Sequence, residues 1–310
     1  MSTQEPRNNK EFLRSVITIG TFDGVHIGHQ KILKRVIELA KKEHKTPAVL
    51  TLFPHPRMVL RKDDDIKLLN TINERIAILK SNGIENVIVK EFNMEFANLS
   101  AEAYIKNILV DELKTHQIVI GYDHHFGKNR SANIDDLKKF AKTYHFKVEE
   151  ISAQDIEDVT VSSTKIRNAL YDGDVATANR YLGYYYFLTG TVNKGKGLGR
   201  TLNFPTANIL VEETYKLIPH NGVYVVKSRI DDKIVYGMMN IGTNPTVNGK
   251  NQSIEVHFFD VSENLYGKSL KIEFLQRLRD EQKFKDIEAL KNQLVKDKTH
   301  SLRIIKELNE

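Results

Sequence analysis

The sequence predicts an α/β protein of two domains, in which a parallel sheet covered by helices precedes a small antiparallel barrel or sandwich and a final helix. Up to about residue 182, apolar strands alternate with helical patterns, which is typical of a parallel sheet with helices on both faces. From there to about residue 274, short β-type runs follow one another without helices between them. We place the domain boundary near Leu182–Gly183, which gives domains 1–182 and 183–310.

Each element follows from the local spacing of apolar residues. The strands predicted in the first domain are Val16–Ile19, Ala48–Phe53, Asn86–Lys90, Gln117–Ile120 and Lys147–Ile151. The helices predicted there are Gln30–Lys42, Asn73–Asn82, Ala101–Leu113, Ile134–Tyr144 and a short segment over Ala169–Leu182. The β-type runs of the second domain are Tyr186–Val192, Gly222–Ile230, Lys233–Ile241, Ser253–Phe259 and Ser269–Leu275, followed by a helix over Lys285–Leu308. We expect this last helix to pack over the barrel.

The composition is that of an ordinary globular protein, with 310 residues of which 40% are hydrophobic and 28% charged. No apolar run reaches the length of about 18 residues that a membrane span needs, and the polar N-terminus lacks the apolar stretch of a secretory signal. The sequence contains no cysteine, which excludes disulfides, thiolate metal sites and cysteine nucleophiles. We therefore expect a soluble cytoplasmic protein without a membrane partner.

The formal net charge of +6 raises the possibility of nucleic-acid binding. The basic residues are scattered, however, and many stand beside acidic ones, with no long basic tract and no RNA-binding signature. We expect solvated faces and sites for polyphosphate ligands, with no nucleic-acid partner. The sequence leaves open whether the chain forms a homo-oligomer.

The most informative segment is Gly20–His29, which follows the first predicted strand and opens the first helix. The first-turn N–H groups of a helix have no internal partners, so they can bind an anion that the helix dipole also favours. His26 and His29 are expected on the same side of that turn, and Gly28 leaves room for a base or a ribose. The segment predicts a nucleotide site whose candidate contacts are Gly20, Phe22, Asp23, Gly24, His26, Gly28 and His29.

A second candidate phosphate site lies in the segment Ser162–Arg167. Serine and threonine ahead of an apolar-periodic stretch are good helix caps, so capping alone is one interpretation. The other is a helix start that grips phosphate through Ser163 and Thr164, with Arg167 supplying a bidentate fork. Two helix N-termini that face one cleft would then clamp a triphosphate from both ends.

Together, Gly20–His29 and Ser162–Arg167 resemble the paired signature of the nucleotidylyltransferase superfamily, whose domain is Rossmann-like. Phe53–Pro56 and Gly121–Gly127 resemble further motifs of its flavin adenylyltransferase branch. The resemblance implies that a phosphate oxygen of FMN attacks the α-phosphorus of ATP, which gives FAD and pyrophosphate.

Such a reaction needs no general base, because the attacking phosphate is already ionised. Catalysis must then come from positioning and from offsetting charge on the moving phosphates. His26 and His29 would donate to the bridging and β oxygens, and Arg167 would hold the departing pyrophosphate. Family position implies that Asp123 lies beside the nucleotide or metal, while His124 stands where this branch often shows phenylalanine.

The second domain carries a glycine-rich loop followed by a polar pair. The loop Gly195–Arg200 is either an ordinary turn of a β domain or a cradle that presents successive N–H groups to an anion. Thr206 and Asn208 alternate on a β-type segment, so both face one side and suit Mg²⁺ carried in on ATP. Glu255 lies on an alternating strand, which indicates either a half-solvated strand or a general base.

The ordered motifs of the second domain, among them Phe204–Asn208 and Phe274–Phe284, resemble riboflavin kinase. The resemblance implies a six-stranded Greek-key barrel that transfers the γ-phosphate of ATP to the ribityl 5′-hydroxyl of riboflavin. Because a neutral alcohol requires deprotonation, Glu255 is assigned as the base. The expected contacts are Gly195, Lys196, Gly197, Gly199, Arg200 and Pro205 with ATP, Thr206 and Asn208 with the metal, and Arg279 and Phe284 with the flavin.

The whole chain thus resembles the bacterial bifunctional riboflavin kinase/FMN adenylyltransferases, also called FAD synthetases. The resemblance implies that riboflavin is converted to FMN and then to FAD with two ATP at separate sites. Two alternatives stay open: that only one domain is active, and that an RNA-binding or regulatory flavin sensor uses the same scaffold. The presence of His26, His29, Ser163, Thr164 and Arg167 argues against a degenerate first domain.

Overall fold

The structure, a computed structural model, describes residues 15–60, 65–121, 124–151, 161–195, 199, 202–246 and 249–310. The chain divides into two compact units, Met1–Ser162 and Ser163–Glu310. The boundary expected near Leu182–Gly183 stays a prediction about the extent of the functional domains.

The first unit is built on a five-stranded parallel sheet with strand order β3-β2-β1-β4-β5. Its strands are β1 (Ser15–Gly20), β2 (Thr46–Phe53), β3 (Asn86–Glu91), β4 (Gln117–Gly121) and β5 (Lys147–Ile151). Its helical segments are α1 (Ile27–Lys42), α2 (Pro56–Leu60), α3 (Ile72–Ser81), α4 (Met94–Ala97), α5 (Ala101–Ala103), a π-helix (Tyr104–Glu112), a 3-10 turn (Lys128–Arg130) and α6 (Ile134–Tyr144). The predicted parallel sheet is confirmed.

Helices cover both faces of this sheet, as alternate residues of its central strand show. Val16 belongs to a buried cluster with residues of α1 and α3, whereas Ile17 and Ile19 belong to a second cluster with residues of the π-helix and α6. Successive side chains of a strand point to opposite faces, so a buried parallel strand carries apolar residues on both. The strand ends are thereby held between two apolar layers.

Two helices of the first unit differ from the sequence prediction. α1 begins at Ile27 rather than Gln30, because the ring of His26 caps it and accepts the N–H of His29. The predicted helix over 101–113 is mostly a π-helix, closed by a hydrogen bond from Leu113 N to Ile108 O. Apolar spacing does not distinguish the wider π turn from an α turn, so the sequence could not predict it.

The second unit begins with two helices and continues as a closed antiparallel barrel of strand order β10-β7-β6-β11-β8-β9. The helices are α7 (Ser163–Tyr171) and α8 (Val175–Leu182). The strands are β6 (Phe187–Asn193), β7 (Ala207–Leu210), β8 (Gly222–Ile230), β9 (Lys233–Thr246), β10 (Gly249–Phe258) and β11 (Ser269–Arg279), and the chain closes with α9 (Ile287–Asn309). The six-stranded barrel and the final helix are confirmed.

The single helix predicted over Ala169–Leu182 is wrong, because the structure has two helices there. The chain turns at Gly173, whose φ is +77°, and Asp174 caps the second helix by accepting the N–H of Thr177. A φ in this region suits glycine and rarely another residue. The barrel strands also run further than predicted: β9 and β10 pair through residues 243–252, and β11 continues past two register shifts to Arg279.

The final helix packs over the outside of the barrel, as expected. Ile304 and Ile305 join a buried cluster with barrel residues such as Val225 and Leu275. A polar contact reinforces this packing, because Arg279 at the end of β11 donates from Nη2 and Nε to the carboxylate of Asp297 at 2.7 and 3.0 Å. Asp297 also accepts from Gln293 Nε2 at 2.8 Å, so its buried charge is fully engaged.

We expect Asp297→Ala to destabilise the barrel by about 3 kcal/mol, because it leaves the guanidinium of Arg279 largely buried beside no carboxylate. Urea unfolding of the full chain, followed by a probe in the barrel, measures the change. The matched control is Glu307→Ala, which breaks an exposed ion pair with Arg303 and should cost less than about 1 kcal/mol. Equal midpoints for the two variants would contradict the prediction.

Candidate functional site

The turn between β1 and α1 holds an unusual backbone path at the carboxyl edge of the sheet. Phe22, Gly24 and Val25 have φ angles of 48°, 85° and 37°, a region that residues other than glycine rarely enter. The side chains of Phe22 and Val25 are buried in the cluster beneath α1, which holds this backbone in place. Such enforced conformations are common at binding sites.

The two histidines of the turn form a stack at the start of α1. Their ring centroids lie 3.7 Å apart with planes inclined by 17°, and the ring of Phe22 leans on His29 with a centroid distance of 5.0 Å. His26 Nδ1 accepts the backbone N–H of His29 at 3.4 Å, so this nitrogen carries no proton. The position of His26 and His29 on one side of the first turn agrees with their spacing.

The electrostatics of the stack favour a neutral His29. Burial, then the neighbouring His26 and the guanidinium of Arg75, hold the pKa of His29 well below its ordinary value of 6.5. Among the described residues, its Nδ1 is buried without a hydrogen-bond partner. A neutral imidazole with one unsatisfied ring nitrogen is suited to bind a polar ligand group.

Asp23, whose contact with a nucleotide stays a prediction, binds a neighbouring segment of the chain. Its buried carboxylate accepts the backbone N–H of Leu69 at 2.9 Å and that of Asn70 at 3.3 Å. These residues precede Thr71, which caps α3 in a reciprocal capping box with Glu74. Asp23 therefore joins the turn after β1 to the start of α3.

Sequence reasoning missed Arg75, a fully buried cation on α3. Its Nη1 donates to Thr51 Oγ1 at 3.1 Å and to Leu52 O at 3.2 Å, and Thr51 Oγ1 donates to Thr21 O at 3.0 Å. These bonds connect α3 through the end of β2 to the turn after β1. A lone arginine in a helical pattern is normally exposed, so this buried position could not be predicted from the sequence.

A pocket of about 400 Å³ opens beyond the carboxyl ends of β1 and β2. This is the edge at which ligands bind in such sheets, as the sequence predicts. The two motifs 53–56 and 121–127 contribute Pro56, His124, His125, Phe126 and Gly127 to its walls. The lining that sequence reasoning missed comes from other segments, namely Leu60, Phe92, Phe96, Ala97, Leu99, Tyr104, Asn129 and Arg130.

The predicted second phosphate motif lies on the other compact unit. Ser163 and Thr164 form the first turn of α7, and Arg167 is buried on the same helix. The expected clamp between the two helix starts stays a prediction. Asp123 lies outside the described residues.

In the barrel, the predicted base and metal pair are brought together. Glu255 on β10 pairs with Asn208 on β7, and Thr206 Oγ1 donates to Glu255 Oε2 at 3.2 Å. Glu255, Thr206 and Asn208 are half-buried, whereas Ala207 and Val256 between them are buried. The structure thus gathers a hydroxyl, a carboxamide and a carboxylate at one corner of the barrel.

The ends of the glycine loop approach this corner closely. A Cβ added to Gly195 would lie 2.0 Å from Asn208 Nδ2, and one on Gly199 would lie 2.2 Å from Phe204 O. No side chain fits at either position without displacing the polar pair or its support. Lys196, Gly197 and Arg200 lie outside the described residues.

A second pocket, of about 350 Å³, adjoins the same corner. Pro205, Thr206 and Ala207 form one wall, and the segment 261–266 forms the other. The apolar parts of its lining come from Val192, Val256, Phe258 and Leu265. Its size and mixed lining suit a small ligand.

Arg279 and Phe284, expected at the flavin, lie together near the end of β11. The guanidinium carbon of Arg279 is 5.8 Å from the centre of the Phe284 ring, a cation–π arrangement, while its nitrogens bind Asp297. Their contact with a flavin stays a prediction. The link to Asp297 could not be predicted, because it depends on how α9 docks.

The described residues form no group of three or more His, Cys, Asp or Glu side chains that could hold a metal ion.

Comparison with known proteins decides what these two units are. The family model described as FAD synthetase matches residues 8–165, and the one described as riboflavin kinase matches residues 182–305. The chain belongs to the bifunctional riboflavin kinase/FMN adenylyltransferases. A protein of that name from Bacillus subtilis is 37% identical over 97% of this chain and 96% of its own length. One from Buchnera aphidicola subsp. Acyrthosiphon pisum is 38% identical over 91% of each chain.

A solved structure of similar fold extends over both units. It is described as a macrolide-efflux protein from Streptococcus pneumoniae, is 28% identical and covers 96% of this chain and 97% of its own with a TM-score of 0.84. Efflux is said of that protein alone. In the part of this chain that the structure describes, no helix is long and apolar enough to cross a membrane.

We expect His29 to stay neutral when the pH falls from 7.5 to 6, because its pKa lies well below 6.5. NMR of a histidine-labelled chain measures this, with free imidazole in the same tube as the pH reference. Since the folded state holds this proton less tightly than the unfolded chain, His29 costs stability as the pH falls below about 6.5. A His29 resonance that titrates with free imidazole would contradict the assignment.

Proposed function

We propose that this bifunctional enzyme of flavin cofactor synthesis carries out its two reactions at separate ATP sites. One site, at the carboxyl edge of the parallel sheet, adenylylates FMN. The other, at the barrel corner, phosphorylates riboflavin. The observation that carries the proposal is that Thr206 and Asn208 meet Glu255 where β7 and β10 pair in the second unit, whereas the histidine turn belongs to the first unit.

At the adenylylation site, the turn after β1 would hold ATP through its phosphates. The neutral His29 would donate a ring N–H to a phosphate oxygen, and His26 would shape the first turn of α1 that faces the anion. Ser163, Thr164 and Arg167 would grip the departing pyrophosphate. Asp23 acts by holding the turn, since its carboxylate is already engaged by backbone N–H groups.

The flavin of FMN would occupy the 400 Å³ pocket beside that turn. The pocket combines aromatic walls from Phe92, Phe96 and Tyr104 with polar groups at its rim, among them Arg130. Aromatic walls suit the flat isoalloxazine ring. The FMN phosphate would then lie towards Gly20 and Thr21, where the strand ends and the histidine turn begins.

At the kinase site, Glu255 would accept the proton of the ribityl 5′-hydroxyl. A general base must lie within hydrogen-bond reach of the hydroxyl that it deprotonates. Glu255 already accepts a hydrogen bond from one hydroxyl, that of Thr206, so its carboxylate is placed to accept from an alcohol at this corner. The chain fits Mg²⁺ here, because Thr206 and Asn208 supply neutral hard oxygens beside a carboxylate. Bound with ATP, the ion would offset charge on the β and γ phosphates.

A time course with riboflavin, ATP and Mg²⁺, followed by chromatography of the flavins, tests the proposal. FMN should appear first and FAD after it. RNA binding without turnover would favour the alternative of a flavin sensor, and FMN without FAD would favour a single active domain. The cytoplasmic location and the oligomeric state stay predictions.

We expect Glu255→Gln to lower the rate of riboflavin phosphorylation by roughly 10²–10⁴-fold, because it removes the proton acceptor. FAD formation from supplied FMN should be unchanged in the same preparation. The matched control is Glu273→Gln, which alters an acidic residue of β11 that pairs with Lys227 and Lys271 on the barrel surface. Equal loss of both activities in Glu255→Gln would contradict two independent sites.

We expect His29→Ala to do the reverse, slowing FAD formation from FMN by about 10²-fold or more through loss of a preorganised phosphate contact. Riboflavin phosphorylation by the same sample reports that the chain is folded. His44→Ala, at an exposed position beyond the end of α1, should change neither rate. Normal FAD formation by His29→Ala would remove the histidine turn from the proposal.

A further inference from the structure

We propose that His257 is a positioning residue of the kinase site, which holds the Pro205 carbonyl and thereby fixes Thr206 and Asn208 against Glu255. The inference rests on the roles proposed for those three residues. His257 itself contacts neither the substrates nor the metal in the proposed mechanism.

Two side chains of β10 form hydrogen bonds with the segment before β7. Side chains two residues apart on a strand share a face, so Glu255 and His257 point the same way. Glu255 accepts from Thr206, and His257 Nδ1 lies 2.8 Å from Pro205 O. Asn208 lies opposite Glu255 and Ala207 opposite Val256, so the same register continued places Thr206 opposite His257.

The chemistry of the bond fixes which atom donates. A backbone carbonyl can only accept, so the proton lies on Nδ1 of His257. The ring is 8% exposed and meets the rings of Phe204 and Phe259 edge-on, with centroid distances of 5.1 and 5.7 Å. This enclosure leaves the imidazole one orientation, with its donor aimed at Pro205.

Backbone pairing alone does not hold this corner. Strand β7 begins at Ala207, one residue after Thr206, and Pro205 has no N–H to donate. The backbone ladder stops short of residues 205 and 206. The side chains of Glu255 and His257 supply the cross-strand contacts there instead. Moving the Pro205 carbonyl would rotate the peptide that carries Thr206 and change its distance from Glu255.

The same contact supports the glycine loop. Phe204, which packs on the ring of His257, donates its N–H to Gly199 O at 2.8 Å. Since a Cβ on Gly199 would lie 2.2 Å from Phe204 O, the two backbones are in close contact. Through Pro205 and Phe204, His257 thus supports both the proposed metal pair, Thr206 and Asn208, and one end of the loop proposed to cover ATP.

The test compares three variants in the full chain. His257→Leu removes the donor, His257→Asn keeps a donor near the place of Nδ1, and His257→Gln keeps a polar side chain but carries its donor further out. Riboflavin phosphorylation is measured as kcat, as KM for ATP and as the Mg²⁺ concentration for half-maximal rate. FAD formation from FMN in the same sample reports folding.

We expect His257→Leu and His257→Gln to raise KM for ATP and the half-maximal Mg²⁺ concentration by roughly 10-fold, the effect typical of lost support behind a metal ligand. His257→Asn should restore most of both values, and FAD formation should stay unchanged in all three. If His257→Leu does not fold, His257→Gln carries the comparison.

Wild-type constants in a folded His257→Leu or His257→Gln would overturn the proposal. So would a failure of His257→Asn to recover either constant, because the ring would then act only as packing. Glu255→Gln, assayed alongside, separates this outcome from a failure of the proposed function: if it keeps its kinase activity, the assignment of the site itself is wrong.

Discussion

The first unit depends on a buried carboxylate, that of Asp23, which binds the backbone of a neighbouring segment. Asp23 accepts N–H groups from residues 69 and 70, so the turn after β1 cannot shift without moving the start of α3. α3 in turn carries Arg75, whose guanidinium reaches the carboxyl end of β2. Burial, then His26 and then Arg75 lower the pKa of His29. The carboxylate of Asp23 therefore helps to set the shape of the histidine turn. Burying it is tolerable because its oxygens are satisfied by backbone donors.

In the barrel, the polar groups of the site are positioned by strand register. Glu255 stands opposite Asn208 because β10 and β7 pair there, and a slip of one residue would turn the carboxylate inward. The barrel is closed, so every strand is held on both sides and such a slip would have to propagate around it. The two units thus place their polar groups by different means, one by a loop tied to a helix and the other by a closed ladder.

Much of this arrangement could be predicted from the sequence, because it is local. The alternation of strands and helices indicates the parallel sheet, and the spacing of His26 and His29 places them together. What the sequence could not predict depends on contacts between distant segments. Tyr104 reaches the pocket from a π-helix that apolar spacing does not reveal, and Arg75 resembles any surface arginine until α3 packs. The partner of Arg279 lies on α9, eighteen residues further along, so only docking of that helix could identify it.

The two helices before the barrel bear on where the chain can be divided. Asn179 on α8 bridges the barrel, donating to Phe274 O at 2.9 Å and accepting from Tyr186 N at 2.7 Å. Gly173 in the preceding turn lies so close to Arg277 of β11 that a methyl group there would be 2.7 Å from its Nε. A fragment that starts at residue 183 would leave Phe274 O and Tyr186 N without their hydrogen bonds to Asn179. It would also expose the face of β11 that α8 covers. Dissection of the enzyme into separately expressed halves should therefore keep α7 and α8 with the barrel, even though α7 carries the serine and threonine assigned to the other reaction.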